Sequence, residues 1–341
     1  MSRQYNYKLS VVSPCYNEEA VIEQFYHALK GVLAGIREME HEILLVDDGS
    51  SDGTLARLNS LALKDDRLTV VSLSRNFGQQ IALSAGMDYA DADAVILMDS
   101  DLQHPPELIP EMVRQWRERN CDIVSAIRKL TPDSTLFKRI SSKTFYLLFN
   151  LLSDVRIEPG AADFCLLSRR AQTAVREMPE RHRFLRGIIS WIGFKRGFVP
   201  YEASARAAGS SKYTLKEMIT LGLTGAFSFS AAPIKLASRL GAFVCGLGAI
   251  YLVYVLIRAI WFGDLVQGWG SLMSVLLILG GLNFTLIGLI GGYLGRVYEE
   301  SKRRPLYFVK QEPPGRNLRG SRPTCNAETM DQLSTVTQCY D

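Results

Sequence analysis

The sequence from residue 94 to residue 107 reads AVILMDSDLQHPPE. Its first five residues are apolar, as is typical of a short strand buried on both faces of a sheet. Asp99 and Asp101 follow this run, and Gln103 takes the next alternate position. Two carboxylates this close repel each other unless a cation lies between them, and hard divalent cations prefer oxygen ligands. The segment predicts a strand ending in a site for Mg2+ or Mn2+, with Asp99, Asp101 and Gln103 as ligands; two solvated turn aspartates are the alternative.

The same alternation of strand and helix patterns extends along the first half of the chain. Short segments rich in Val, Ile and Leu predict strands at residues 8–13, 42–47, 68–74, 94–99, 122–126 and 162–167. Longer helical patterns lie between the first five, at residues 18–33, 53–64, 79–89 and 106–119. Such alternation predicts an α/β fold with a parallel-rich sheet covered by helices on both faces. Ligands of such sheets bind beyond the carboxyl ends of the strands.

Polar residues also follow the other predicted strands. Asp47 and Asp48 end the second strand, where one carboxylate either holds a base or ribose or only caps the next helix. Tyr16 and Glu18 follow the first strand, and they either cover the base or begin a helix. Residues 75–78, RNFG, either approach phosphates or form a turn.

Charge and hydropathy divide the chain into a polar front and an apolar rear. The 39 Lys and Arg against 35 Asp and Glu are too balanced for a nucleic-acid binder that relies on counterion release. Residues 240–257 and 265–295 contain no charge, which predicts two transmembrane helices. Residues 214–230 predict an amphipathic helix in the membrane interface. Basic residues outside both spans place the two termini in the cytoplasm.

These patterns predict four regions. The sheet domain covers residues 1–210, the interface helix 211–232, the two transmembrane helices 233–298, and a basic cytoplasmic tail 299–341 whose distal part is disordered. The six scattered cysteines predict reduced thiols. A P-loop nucleotidase and a dinucleotide-binding fold are excluded, because no GxxxxGK[ST] occurs and no GxGxxG follows the first strand.

Four motifs resemble, in order and spacing, the family 2 inverting glycosyltransferases with a GT-A (Rossmann-like) fold. They read VVSPCYNEE (11–19), EILLVDDGSSDGT (42–54), SRNFGQQIALSAGMDYA (74–90) and VILMDSDLQHPPE (95–107). Three more, GAADFCLLSRRA (160–171), PERHRFLRGIISWIGF (179–194) and RAAGSSKYTLKEM (206–218), are similar to the polyprenyl-phosphate branch. Within it the bactoprenol glucosyltransferases are most alike, and the dolichyl-phosphate mannose synthases are related. The resemblance covers residues 8–310.

The resemblance implies roles for individual residues. The nucleotide would be held by Pro14, Tyr16, Glu18, Asp48, Asn76 and Asp99, and the lipid acceptor's phosphate by Arg128, Lys138, Ser142, Arg206 and Lys212. Asp163 would lie near the sugar and acceptor, as a catalytic base or as a positioning group, with Asp101 as a second catalytic residue. This sequence departs from the pattern of the resembling family at two positions. Family members often carry Arg where this chain has Cys165, and Lys where it has Gln79.

The implied reaction is inverting transfer of a hexose from a nucleotide sugar to undecaprenyl phosphate, at the cytoplasmic face of a bacterial inner membrane. A divalent cation would neutralise the leaving diphosphate. We expect glucose from UDP-glucose, destined for lipopolysaccharide O-antigen modification; GDP-mannose or a UDP-amino sugar is the alternative donor. A processive polysaccharide synthase lacks support, since no QxxRW occurs. A non-enzymatic scaffold with a vestigial metal site stays open as an alternative function. The sequence also leaves open whether the chain forms a homo-oligomer, such as a tetramer.

Overall fold

The computed structural model describes residues 7–36, 38–128, 158, 160–178, 180–181, 183–202, 232–262 and 268–311. These residues fall into two compact units. Described residues up to 202, together with 304–311, form the first, which we call the sheet unit. Described residues from 232 to 303 form the second, the helical unit. The helices expected at residues 138–152 and 214–230 lie outside the described residues.

The sheet unit contains one mixed sheet with the strand order β7-β5-β6-β4-β1-β2-β3-β8. Its strands are β1 (Tyr7–Cys15), β2 (Met39–Asp47), β3 (Leu68–Leu73), β4 (Ala94–Leu97), β5 (Ile123–Arg128), β6 (Ala161–Ser168), β7 (Arg196–Tyr201) and β8 (Val309–Gln311). β6 runs antiparallel to both neighbours, and β8 runs antiparallel to β3. All other pairs are parallel. The predicted parallel-rich α/β sheet is therefore confirmed.

Six α-helices belong to the sheet unit, besides a short 3-10 helix at Pro106–Leu108. They are α1 (Ile22–Gly35), α2 (Thr54–Ala62), α3 (Gln79–Tyr89), α4 (Ile109–Arg119), α5 (Arg169–Glu177) and α6 (Leu185–Trp191). α3 has the predicted bounds, whereas α1 begins four residues after its predicted start at Glu18. The reason is local, because Asn17 has a φ of 53° and the Glu18 carbonyl accepts from the N–H groups of Val21 and Ile22 in a turn.

Two strands, β7 and β8, were not predicted from the sequence patterns. β7 reads RGFVPY, and its glycine and proline are typical of an edge strand, which is the position it takes. β8 is three residues long and follows a basic segment. Ahead of it, Leu306 and Tyr307 are buried, and the Tyr307 hydroxyl lies 3.0 Å from a carboxylate oxygen of Asp88 on α3. Part of the predicted tail thus belongs to the sheet unit.

α3 packs directly on the sheet through Gly86. A Cβ at this position would collide with a methyl group of Val12 on β1 and would lie 3.0 Å from a methyl of Val46 on β2. The missing side chain lets the helix lie flat across these two strands. Its first turn, Gln79 and Gln80, thereby lies beside the carboxyl ends of the strands.

We expect Gly86→Ala to lower the free energy of unfolding by about 1–3 kcal/mol, the cost of overpacking a filled core. The midpoint of urea unfolding measures it. Gly31→Ala on α1 is the matched control, because nothing lies within 4 Å of a Cβ there. It should leave stability unchanged or raise it by up to about 1 kcal/mol through helix propensity. Equal effects of the two changes would contradict the close approach at Gly86.

The helical unit contains α7 (Ala232–Phe262) and α8 (Trp269–Ser301), of 31 and 33 residues. They contain residues 240–257 and residues 269–295 of the two apolar segments. Yet none of the helices in the described part of the chain combines the length and apolar character that a membrane crossing requires. The two transmembrane helices therefore stay a prediction.

Candidate active site

Strand pairing brings Asp163 close to the turn after β4, which we call the metal turn because it carries the predicted metal ligands Asp99, Asp101 and Gln103. β4 and β6 are antiparallel with Leu97 opposite Cys165. Continued by two residues, this register sets Asp99 opposite Asp163, and the negative charge of Asp163 raises the pKa of the Asp99 carboxyl. The side chain of Asp163 is only 10% exposed, and that of Asp99 is 28% exposed. Residues far apart in sequence thus share one acidic site at the carboxyl end of β4.

The turn after β4 brings Asp101 and Gln103 into contact. Gln103 donates its backbone N–H to Oδ1 of Asp101 (3.1 Å) and its side-chain amide to Oδ2 (2.8 Å). Leu102 between them has a φ of 61°, a left-handed conformation that costs a non-glycine residue about 1–2 kcal/mol. Strain of this kind persists where the surroundings demand a particular geometry. Here the geometry sets two oxygen-bearing side chains next to each other.

Asp99 lies between two further elements. Its carboxylate accepts from the side-chain amide of Gln79 at 2.5 Å, and its backbone N–H donates to Nδ1 of His104 at 3.0 Å. Burial, and the negative charges of Asp163 and Asp101, raise the pKa of the Asp99 carboxyl. A site that accumulates negative charge in this way favours a cation or a proton.

The residues present fit a divalent cation through the two carboxylates and the amide oxygen of Gln103, hard oxygen donors of the kind that Mg2+ and Mn2+ take. In the part of the chain that the structure describes, no group of three or more His, Cys, Asp and Glu side chains is arranged to hold a metal ion. The predicted ligands Asp99, Asp101 and Gln103 include only two residues of these four types, so they do not form a group of this kind.

We expect Mn2+ to bind more tightly as the pH rises from 6 to 8. The raised pKa of Asp99 keeps this carboxyl partly protonated when no metal is bound, so the cation must displace a proton. Calorimetric titration in two buffers of different ionisation enthalpy measures both the affinity and the proton release. An affinity independent of pH, with no proton released, would contradict the assignment of Asp99 as a ligand.

His104 supports Asp99 as a neutral ring. Burial lowers the pKa of His104 to about 4, so the imidazole is uncharged at pH 7. Nδ1 accepts the Asp99 N–H, and the remaining proton therefore lies on Nε2. The ring stacks on Phe164 at a centroid distance of 5.2 Å and meets Tyr201 edge-on at 6.2 Å. The sequence assigned no role to His104; the structure makes it a rigid support for the metal turn.

Arg186 holds Asp163 through two parallel hydrogen bonds. Its Nε lies 2.6 Å from Oδ1 and its Nη2 2.9 Å from Oδ2. Burial raises the pKa of Asp163, but the charge and hydrogen bonds of Arg186 outweigh it and hold the pKa below its ordinary value. Asp163 is therefore an anion at pH 7. Sequence reasoning did not name Arg186, although the basic segment 180–187 that contains it was a visible signal.

The predicted nucleotide residue Asp48 organises a loop. It is buried, and its two carboxylate oxygens accept from the N–H groups of Phe77 (2.8 Å) and Gly78 (2.9 Å). Burial raises the pKa of Asp48, and these two N–H groups oppose the shift. Gly49, with a φ of 68°, packs so closely on Arg75 that a Cβ would collide with its backbone. The loops after β2 and β3 thus form one surface.

The loop after β1 joins the same surface. The Pro14 carbonyl accepts from the Ser100 hydroxyl at 2.9 Å, which ties β1 to the metal turn. Tyr16 is 40% exposed. Glu18 donates its backbone N–H to the Thr54 hydroxyl at 2.9 Å, at the start of α2. Pro14, near the end of β1, and Tyr16 and Glu18, in the loop that follows, thus lie at one strand end.

The remaining predicted residues are placed less centrally. Asn76 is exposed beside the Asp48 loop. Arg128 ends β5 with an exposed side chain, and its positive charge reaches His104 and Tyr201. Four predicted acceptor residues lie outside the described part of the chain: Lys138, Ser142, Arg206 and Lys212.

A small cavity lies beside Asp163 and Cys165. A cavity of about 20 Å³, enough for one water molecule, is lined by Asp163, Cys165, Arg186, Ser190 and Arg196 among others. Burial raises the pKa of the Cys165 thiol to about 12, so this sulfur stays protonated.

Known proteins resemble this chain over most of its length. The family model described as "Glycosyl transferase family 2" matches residues 10–172. The uncharacterized glycosyltransferase YkcC of Bacillus subtilis (strain 168) is 40% identical over 311 residues, covering 91% of this chain and 95% of that protein. The bactoprenol glucosyl transferase of Shigella phage SfV is 38% identical over 305 residues, covering 89% and 99%. The solved mannosyltransferase PcManGT from Pyrobaculum calidifontis, in complex with GDP-Man and Mn2+, aligns with a TM-score of 0.44 and 14% identity over 83% of this chain and 88% of that one.

The α/β sheet and the relatives that share its sequence define a transferase enzyme. The chain belongs to glycosyl transferase family 2. The resemblance seen in the sequence motifs is confirmed, including the presence of bactoprenol glucosyl transferases among its relatives.

Proposed function

We propose that this enzyme transfers a hexose, with inversion, from a nucleotide sugar to a polyprenyl phosphate and so forms a polyprenyl-phosphate sugar. The observation that carries the proposal is the acidic site at the end of β4, where Asp99, Asp101 and Asp163 converge. Relatives named bactoprenol glucosyl transferases support a lipid phosphate as acceptor and glucose as the sugar. UDP-glucose is the donor we propose, with undecaprenyl phosphate as acceptor.

Asp99, Asp101 and Gln103 would hold a divalent cation, which neutralises charge on the departing nucleoside diphosphate when bound. The joined loops of Pro14, Tyr16, Glu18, Asp48 and Asn76 would hold the nucleoside. Asp48 would act indirectly, since both its oxygens already accept backbone N–H groups. We propose that it shapes the loop against which the nucleoside lies.

Asp163 would position the reacting groups. A phosphate monoester has a second pKa of about 6, so most of the acceptor is already a dianionic nucleophile at pH 7. No strong base is needed, and a carboxylate whose pKa Arg186 lowers is a weak one. We propose that Asp163 accepts hydrogen bonds from sugar hydroxyls and orients the anomeric carbon toward the acceptor phosphate.

Arg128 would bind the acceptor phosphate, together with Lys138, Ser142, Arg206 and Lys212. We expect Arg128→Ala to raise the KM for polyprenyl phosphate about tenfold, since a charge-assisted hydrogen bond is lost. The KM for the nucleotide sugar should stay within about twofold. Lys64→Ala removes one exposed charge elsewhere and is the matched control. A change confined to the nucleotide sugar's KM would contradict this role.

A lipid acceptor requires contact with a membrane. We propose that residues 233–298 cross the bacterial inner membrane twice, that residues 214–230 lie in its interface, and that the catalytic domain and both termini face the cytoplasm. The test is labelling of single cysteines placed at residues 6 and 268, in a variant that lacks other cysteines, with an impermeant reagent on intact and opened cells. Labelling of residue 268 alone in intact cells would support this topology, and labelling of residue 6 would exclude it.

The function is tested by a donor panel. Purified enzyme, undecaprenyl phosphate and Mg2+ or Mn2+ are incubated with UDP-glucose, GDP-mannose or UDP-N-acetylglucosamine, and the lipid product is identified by mass. A single hexose on the lipid phosphate with UDP-glucose supports the proposal. Transfer only from another donor changes the sugar, a polymeric product favours a processive synthase, and no product with any donor excludes the activity.

A further inference from the structure

Gln80 connects three elements around Asp163. It lies in the first turn of α3, where its side-chain Nε2 is 3.3 Å from Oδ2 of Asp163 on β6. Its Oε1 accepts the buried backbone N–H of Leu185, at the start of α6, at 3.0 Å. Arg186, the next residue of α6, supplies the two hydrogen bonds to the same carboxylate. One glutamine thus contacts both Asp163 and the helix that carries its cationic partner.

The contact with Leu185 fixes which way the Gln80 amide faces. A backbone N–H can only donate, so the atom facing it must be the amide oxygen. The amide NH2 group is therefore directed at Asp163. Gln80 cannot turn its oxygen toward the carboxylate without leaving the N–H of Leu185 unsatisfied in a buried place, at a cost in stability. The orientation of the donor is set by the fold.

The contacts on Asp163 determine how its carboxylate lies. Arg186 uses one lone pair on each oxygen, and Gln80 uses a second on Oδ2. Oδ2 therefore has two donors and Oδ1 has one among the described residues that these bonds involve. The Oδ1 edge keeps more capacity to accept a hydrogen bond from a ligand. A planar carboxylate held by three donors from two helices has little freedom to rotate.

The first turn of α3 is also connected by hydrogen bonds to Asp48, in the loop after β2. Gly78, which precedes the helix, and Phe77 donate their N–H groups to Asp48. Gln79 donates to Asp99 and Gln80 to Asp163. Four consecutive residues, 77–80, therefore contact three carboxylates from three different strand ends.

We propose that Gln80 is a positioning residue that holds the Asp163 carboxylate in the orientation needed for sugar transfer. The inference rests on the proposed function, because it gives Asp163 its role toward the sugar. Gln80 itself touches no reacting atom. It acts by directing one N–H at Oδ2, which limits rotation of the carboxylate.

Two substitutions separate this role from simple bracing of the helices. Gln80→Glu has the same shape and still accepts from the Leu185 N–H, but it offers Asp163 a negative charge in place of a donor. Gln80→Met keeps the length and loses both contacts. We expect each variant to lower kcat about tenfold or more, the loss of a hydrogen bond to a charged group. The KM for the nucleotide sugar should stay within about twofold.

Gln172→Met is the matched control. This buried glutamine donates to the carbonyls of Met87 (2.8 Å) and Ala90 (2.9 Å) at the opposite end of α3. It should lower the melting temperature while kcat stays within about twofold. Melting curves on all three variants show that each one folds.

Three outcomes would overturn the inference. If kcat is unchanged in Gln80→Glu and falls only in Gln80→Met, the role of Gln80 is to accept the hydrogen bond from Leu185 and not to orient Asp163. An unchanged kcat with a raised KM places it in ground-state binding. If Gln172→Met lowers kcat by the same factor, the loss of kcat comes from disturbing α3 as a whole and not from the contact between Gln80 and Asp163. Failure of the proposed function looks different, because the wild-type enzyme would then make no product.

Discussion

Asp99→Asn should abolish sugar transfer and at the same time make the metal-free protein more stable. The substitution keeps the size of the side chain and removes the charge that a cation needs. Removing one preorganised electrostatic group from an active site costs about 10²–10³-fold in kcat, and we expect at least this loss. Radiolabel transfer from nucleotide sugar to lipid phosphate measures it.

The gain in stability follows from the electrostatics of the empty site. Burial and the charges of Asp163 and Asp101 raise the pKa of Asp99, which means that ionising this group works against the folded state. For a carboxyl with a raised pKa, stability falls as the pH rises above its unfolded value near 4. A neutral amide avoids this cost. The melting temperature without metal should rise above that of the wild type, and more at pH 8 than at pH 6.

Asp93→Asn is a suitable control, since Asp93 precedes β4 at its opposite end, with a carboxylate that accepts from the Lys8 N–H. It should leave transfer within about twofold of wild type. An Asp99→Asn enzyme with full activity would remove the acidic site from the mechanism. A loss of activity together with a fall in stability would instead indicate that the variant folds poorly.

Arg186→Met should reduce both activity and stability. It leaves the Asp163 carboxylate buried without its cationic partner. Removing one member of a buried pair is strongly destabilising, but the Arg186 side chain is one-third exposed, so we expect about 2 kcal/mol rather than the full penalty. kcat should fall about 10²-fold, because burial then raises the pKa of Asp163 and its orientation is lost.

Arg186→Lys and the double variant Arg186→Met/Asp163→Asn complete this test. Lysine keeps the charge but cannot form two parallel bonds, so we expect stability near wild type with kcat still reduced about tenfold. Asparagine at position 163 removes the unpaired charge and should restore stability without restoring kcat. Urea unfolding and steady-state kinetics measure the two effects separately. Recovery of kcat in the double variant would contradict the role of an anionic Asp163.

The strand ends were predictable because each is coded by adjacent residues. An apolar run followed by polar residues placed Asp48, Asp99 and Asp101 beyond β2 and β4, and periodicity gave α3 its exact bounds. Strand order was less accessible, since β6 pairs with β4 in the antiparallel sense, and this reversal alone brings Asp163 to the metal turn. Only the resemblance to a family suggested that position.

The contacts of Gln80, Arg186 and His104 could not be read from the sequence. Each depends on how segments distant in the sequence pack against one another, which no local pattern encodes. His104 shows the difficulty: its neutral state follows from burial against Phe164 and Tyr201, residues distant in the chain. β8 was missed because three residues carry too little periodicity to distinguish a strand from a loop.

The pairing of β8 with β3 also bears on self-association. Strands at a sheet border present unpaired N–H and C=O groups to any extended chain that approaches, and such borders seed aggregation. Here Ser72 and Leu73 are covered by Gln311 and Val309 from the same molecule. A shortened chain that ends before Val309 would leave that border open to intermolecular β-pairing. The segment after α8 thus covers the end of β3 that lies next to the site.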